Sequence, residues 1–163
     1  MKKLLFILLI PFFSFAQKPS KLEKRLNEEL KIELKEQSRN PYFSGDTLVV
    51  VQEFKIDQNK VLSYQTNHKM YNGDVYYIRK QEVALKDIIS IGKDICVLLE
   101  TNDKVKITDT NYHSDGTKDT STQTQTYFRT QFCNQKNNEY LGNELVELFK
   151  KEGYTITISH WYD

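Results

Sequence analysis

Residues 83–108, VALKDIISIGKDICVLLETNDKVKIT, constrain the fold more than any other stretch of this chain. Apolar and polar positions alternate through much of it, and two pairs of turn-forming residues, Gly92-Lys93 and Asn102-Asp103, sit at hairpin spacing. A type II′ turn requires glycine first, and Asn and Asp tolerate positive φ. Two-residue loops at both places predict three antiparallel strands, with Ile91 facing Asp94, Ile89 facing Cys96, Leu98 facing Ile107 and Glu100 facing Val105. One face then collects Ile89, Ile91, Cys96, Leu98, Val105 and Ile107. The other carries Ile88, Ile95, Val97 and Leu99, but Lys104, Lys106 and Thr108 on the third strand. A middle strand apolar on both faces calls for cover on both.

The N-terminus reads differently. Lys2-Lys3, an apolar run over 4–15 and Ala16, with small Ser14 two positions earlier, have the form of a secretory signal peptide spanning 1–16, cleaved before Gln17. The run falls short of the roughly 20 residues a membrane span needs, and no later stretch is longer. The expectation is an exported chain, periplasmic or extracellular, with no transmembrane segment after cleavage. Removing 16 of 163 residues leaves 147, the size of one domain, and takes the formal charge from +1 to −1. That balance gives no electrostatic case for nucleic acid or an anionic membrane. Four of the nine Phe leave with the signal, so the mature aromatics are mostly Tyr, a residue suited to half-exposed strands and binding surfaces.

Within the mature chain, residues 17–46 form an amphipathic helix and linker, and 47–163 an antiparallel β domain. Pro19-Ser20 with Glu23 is a capping-box pattern, after which Leu22, Leu26, Leu30 and Leu34 recur every fourth residue. Lys24–Glu28 and Arg25–Glu29 are spaced for ion pairs on the other faces. Asn40-Pro41 and Ser44-Gly45-Asp46 end the helix. Strands follow over 47–54, 60–66 and 75–79, separated by Asp57-Gln58-Asn59 and Asn72-Gly73-Asp74. After the central strands the pattern predicts a mobile polar loop over 109–123, then a strand over 124–132 with Thr126, Phe128, Thr130 and Phe132 on one face. Asn138 caps a second helix over 139–152 with Leu141, Leu145, Leu148 and Phe149 on its apolar side, and Gly153 ends it. Gly142 inside that helix signals close approach to a sheet. Ile156 and Ile158 alternate in a last strand.

The candidate metal ligands are Asp109, Asn111, His113, Asp115 and Asp119, at near-alternating positions around an Asp-Gly resembling a calcium loop. Counted from Asn111, Gly116 falls at position six, but Thr122 stands where a bidentate Glu belongs. A solvated hairpin loop has the same composition. His68, His113 and His160 are not spaced as zinc ligands. No Gly-rich phosphate loop and no Gly-x-Ser-x-Gly elbow is present, so the sequence assigns no catalytic residue and no cofactor. Cys96 and Cys133 are expected to stay unpaired, since a simple meander puts them at opposite ends of the sheet with a strand between them.

The segment Val83-Ala84-Leu85-Lys86-Asp87-Ile88-Ile89-Ser90-Ile91, followed by two hairpins, a further strand and the helix over 139–152, resembles bacterial pleckstrin-homology-like and GRAM-like domains. The resemblance covers residues 47–152 and implies a small curved sandwich plugged at one end by its C-terminal helix. The phosphoinositide sites of that family use clustered Lys and Arg in the first hairpin loop, where this chain has Asp57-Gln58-Asn59-Lys60.

The fold expected is α+β: a bent antiparallel sheet or small β-sandwich of seven to eight strands, with a C-terminal capping helix and an N-terminal amphipathic helix docked outside. The function expected is an exported, non-enzymatic binding or interaction module for an unknown protein or small-molecule partner. The alternatives are a carrier of a small apolar ligand within the curved sheet and a hydrolase-type enzyme whose residues converge only in the fold. A filled core with an exposed Tyr-rich face favours the module, an apolar cavity the carrier, and a cleft holding a His with two carboxylates the enzyme.

Overall fold

The computed structural model describes residues 18–39, 48–69 and 76–162. The expected signal peptide, the expected breaks at 40–46 and the expected Asn72-Gly73-Asp74 turn lie outside the described residues. In chain order the elements are α1 (Lys21–Arg39), β1 (Val49–Ile56), β2 (Val61–Lys69), β3 (Tyr76–Ala84), a 3-10 turn (Leu85–Asp87), β4 (Ile88–Lys93), β5 (Val97–Tyr112), β6 (Lys118–Arg129), α2 (Glu139–Lys151) and β7 (Thr157–Trp161). The architecture is α+β, with the seven strands of the described residues in one sheet.

β5 organises that sheet. Its second half pairs antiparallel with β3, its first half with β4, and β6 pairs along both halves. Since a strand has only two edges, β3, the 3-10 turn and β4 run end to end along one edge of β5 while β6 occupies the other. β2 and β1 continue the sheet beyond β3, and β7 joins β4 as the one parallel pair among the described residues.

Both turn signals in 83–108 are used, but neither makes a two-residue hairpin. Gly92 and Lys93 stay in β4, Lys93 pairs with Val97, and the chain turns through residues 94–96. Ile91 therefore faces Leu99, not Asp94. Lys93 is held in the strand because its buried ammonium donates to Gln135 O at 2.6 Å and Asn138 Oδ1 at 2.9 Å. Gly92 stays because β7 crosses it so closely that a Cβ there would lie 2.6 Å from Ser159 Oγ. Asn102-Asp103 forms a bulge: Asp103 takes φ +54° inside β5, and the β6 register jumps between Glu100 and Val105. Thr101 Oγ1 holds the bulge, accepting Lys104 N and donating to Thr126 O.

The expected loop over 109–123 is a hairpin instead. β5 runs to Tyr112 and β6 starts at Lys118, leaving only 113–117 to turn, with Gly116 at φ +82° and closing bonds Gly116 N to His113 O and His113 N to Thr117 O. β6 ends at Arg129, so Thr130 and Phe132 are buried beyond the strand while Thr126 is exposed.

Cys96 and Cys133 form a disulfide, against expectation, with Cα atoms 4.1 Å apart. The error lay in counting a strand between them. β6 is the direct neighbour of β5, so its end lies beside the start of β5; Thr130 N donates to Val97 O and Val97 N to Phe132 O, which carries Cys133 to Cys96.

α1 is part of the core. Ser20 Oγ accepts Glu23 N at 3.2 Å, half of the expected capping box, while Glu23 Oε2 accepts Ile56 N in β1. Leu22, Leu26 and Leu30 are buried with Phe54, Tyr64, Phe128 and Phe132 of the sheet side and Leu141, Leu145 and Phe149 of α2. Burying each such side chain contributes about 1.5–3 kcal/mol. Phe54 stacks on Tyr64 at 4.4 Å between ring centres and meets Phe132 edge-on at 5.6 Å. Asn138 precedes α2 but does not cap it with its side chain, which accepts from Lys93 and from Trp161 Nε1. Gly142 does permit a close approach: a Cβ there would be 2.7 Å from the Trp161 ring.

Candidate functional site

The two helices touch β1, β4, β7 and each other, and the far end of the sheet extends beyond them. This wing consists of the end of β2, the start of β3, the end of β5 and the start of β6. The registers define it residue by residue. On one face Lys69, Tyr76, Tyr112 and Lys118 form a row across four strands, followed by Asn67, Ile78, Thr110 and Thr120, then Gln65, Lys80, Thr108 and Thr122, then Ser63, Glu82, Lys106 and Thr124. Side chains alternate between faces along a strand, so these four rows share one face. Among the described residues, these rows carry Lys69, Lys80, Lys106 and Lys118 against Glu82.

Tyr76 and Tyr112 stack at 4.7 Å between ring centres, and Lys118 Nζ lies 5.1 Å from the Tyr112 centroid. Such a cross-strand aromatic pair rigidifies the end of the sheet, and the lysine adds a cation–π contact. Glu82 lies 2.6 Å from Lys80 Nζ and 3.9 Å from Lys106 Nζ, so its charge is shared between two lysines.

The opposite face of the wing continues from the core and is near neutral. Its outermost row is His68, Tyr77, Asn111 and Asp119, and the next is Thr66, Arg79, Asp109 and Ser121. Arg79 grips Asp109 with two bonds, Nε to Oδ1 at 2.8 Å and the terminal nitrogen to Oδ2 at 2.7 Å, and this bonding raises the guanidinium pKa further. His68 stacks on Tyr77 at 4.8 Å and shares a 2.8 Å hydrogen bond with Thr66 Oγ1. Burial, reinforced by the Arg79 charge, lowers the His68 pKa.

All five sequence-predicted calcium ligands lie on or beside this wing, but they have separate partners. Asp109 is engaged by Arg79. Asp119 accepts Asn111 Nδ2 at 2.7 Å and lies 2.6 Å from His113 Nε2, and these bonds lower its pKa. Asp115 turns back onto the hydroxyl and N–H of Thr117, which lower its pKa too. Only Asn111, His113 and Asp119 are brought together; Asp109 and Asp115 are not. Among the described residues no group of three or more His, Cys, Asp or Glu is spaced to hold a metal.

The third histidine meets one carboxylate. His160 Nδ1 lies 3.7 Å from Glu100 Oε1 and 3.0 Å from Ser159 Oγ, while Ser90 Oγ donates to Glu100 Oε2. A nucleophile–base–acid relay needs the two ring nitrogens on different partners, and here one nitrogen faces both. Two surface hollows are polar-rimmed: one of about 360 Å³ between Lys18, Glu23, Lys55 and Asp57, and one of about 270 Å³ between Lys93, Asp94, Gln135 and Lys136.

The sequence reading missed the buried acids of α1. Glu29 and Glu33 are both fully buried. Glu33 accepts Asn134 N with both oxygens, Asn134 Nδ2 and Gln37 Nε2, fixing the segment after β6 from 101 positions away. Arg25 binds Glu29 at 2.8 Å and Glu144 of α2 at 2.9 Å, joining the helices. Burial pushes the Tyr64 phenol pKa well up, with the Glu33 charge adding to it. The signal available was Glu29, Glu33 and Gln37 at i, i+4 and i+8, a second stripe beside the leucines.

No family model, no curated protein and no solved structure matches the chain. Among the described residues no helix is long and apolar enough to cross a membrane.

Proposed function

We infer that this is an exported, non-enzymatic interaction module whose working surface is the lysine-and-tyrosine face of the wing, and that its partner offers an acidic polypeptide segment. The observation carrying this reading is the segregation of charge between faces: Lys69, Lys80, Lys106 and Lys118 share a face with Glu82, although the mature chain is near neutral overall. Like-signed side chains gathered on one face create a local field that a neutral average conceals. Tyr76, more than a third exposed, gives the face an aromatic anchor of the kind found at interfaces. The stacked Phe54 and Tyr64 in the core support the module over the carrier. Export is supported by the N-terminal pattern of 1–16, and the Cys96–Cys133 bridge is compatible with an oxidising compartment. The pleckstrin-homology-like reading keeps strands followed by a C-terminal helix, α2; the further strand it expects between the hairpins and that helix is not among the described elements, and α1 and β7 are additions.

A fluorescent glutamate-rich peptide tests the surface. Binding is expected to weaken steeply with salt and to fall at least about tenfold in Lys69→Glu/Lys118→Glu, while Lys31→Glu on α1 leaves it unchanged. Equal binding by both variants refutes the assignment. An apolar molecule carried through purification and seen by native mass spectrometry moves the reading to the carrier.

A further inference from the structure

Among the described residues the sheet has three outer strands, and they are not equally protected. β1 carries two register shifts and exposed Glu53 and Lys55, and β7 is five residues long with a shift of its own. Bulges, shortness and charge are the devices that stop a sheet edge from pairing with another chain. β6 has no bulge over 118–125 and no charge over 120–125, its charged residues in this stretch being Lys118 and Asp119 at the hairpin end. It pairs with β5 through eight consecutive positions without a shift, contains no Pro or Gly, and is exposed on both faces through Thr124. Over 120–126 its residues are Thr-Ser-Thr-Gln-Thr-Gln-Thr, uncharged and with the strand-favouring threonine at every second position.

We propose that β6 pairs edge to edge with β6 of a second copy, joining two seven-stranded sheets antiparallel about Thr122. This rests on the strand edge and is independent of the ligand assigned to the basic face. A two-fold axis perpendicular to the sheet keeps the faces of the two copies aligned, so only residues of equal parity can stand opposite each other. Centred on Thr122, the register sets Thr122 against itself, Thr120 against Thr124, Ser121 against Gln123, Asp119 against Gln125 and Lys118 against Thr126. No like charges meet, and threonine meets threonine on the basic face, a favourable cross-strand pair. The occupant fits because the strand complements itself in sign, side-chain type and face. The two basic faces then join into one surface.

Sedimentation equilibrium of the mature protein tests this, with Thr122→Lys and Thr122→Glu as variants. Thr122 is exposed, so both variants are expected to keep the thermal midpoint of the parent. The parent is expected to dimerise below about 1 mM. Each variant alone is expected to dimerise at least about tenfold more weakly, because identical charges face each other at the axis. An equimolar mixture restores the dimer as a Lys–Glu heterodimer. A parent that is monomeric at about 1 mM overturns the proposal. So does a Thr122→Lys protein that dimerises as well as the parent, which places any assembly elsewhere, or a mixture that fails to restore pairing.

Discussion

Replacing both cysteines, Cys96→Ala with Cys133→Ala, opens a loop closed across 37 positions. The contacts around the bridge survive the change: Thr130 N still reaches Val97 O, and Glu33 still holds Asn134. The folded state therefore keeps its geometry, and the loss falls mainly on the unfolded chain, which regains the freedom the bridge removed. For a loop of 37 residues the chain-entropy relation gives about 4 kcal/mol at 25 °C. With a urea slope near 2 kcal/mol/M, ordinary for a domain of this size, the midpoint should fall by about 2 M, and the slope should rise because the open chain exposes more surface. Paired urea titrations of the oxidised parent and the double variant, followed by far-ultraviolet circular dichroism, measure both. A midpoint shift under about 0.5 M would refute loop closure as the source of stability. Two reactive thiols in the unfolded, unreduced parent would refute the bridge itself.

Three further outcomes follow from the packing. Glu33→Ala strips Asn134 of its acceptor and is expected to cost about 2–3 kcal/mol in the same titration, with Glu33→Gln losing less; a change under about 0.5 kcal/mol refutes the role given to this carboxylate. Gly142→Ala should lack the ~1 kcal/mol gain that alanine brings to a helix interior and should instead destabilise, since its Cβ meets the Trp161 ring; combined with Trp161→Ala, the substitution should become stabilising, and a plain gain in the single variant refutes the contact. His68 should titrate below its ordinary 6.5 in proton NMR. The unfolded chain then binds the proton first, so stability falls as pH drops from 6.5 to the folded midpoint and levels off below it; His68→Asn should remove that part of the slope, and a midpoint at or above 6.5 refutes the burial argument.

The elements most readable in the sequence are those whose signals are local. The four-residue leucine repeat placed α1, Gly153 at φ +94° follows α2, and the hydrogen bonds of Asp57 Oδ1 to Asn59 N and Val61 N close the turn expected there. Signals whose meaning depends on a neighbour across the sheet were misread. Gly92 was there for β7 to lie against, and Asn102-Asp103 supplied positive φ to a bulge in a continuous strand. Residues 118–125 gave no apolar alternation because neither side of that strand meets the core; the repeated threonines were the remaining indication. The disulfide prediction inherited the false strand. The basic face was invisible to net charge because the lysines that build it are scattered from 69 to 118 and gathered only by register. Glu29 and Glu33 looked like a solvated face because a carboxylate's burial depends on what packs over it: Glu29 keeps the Arg25 partner its spacing implied, and Glu33 takes its donors from Asn134, far along the chain.

The bond between Glu33 and Asn134 also sets an order of events. A helix synthesised near the beginning of the chain finds its acceptor's partners only after 101 further positions have been made, and β7, which closes the sheet beside β4, comes later still. Before then, α1 lacks α2 and the end of β6 to pack against, and most helical stability in proteins comes from such packing. Contacts this distant in sequence slow folding, since the cost of closing a long loop precedes any return from the contact. The chain is thus late to commit: α1 has its full set of partners only once the residues beyond Asn134 are there to meet it.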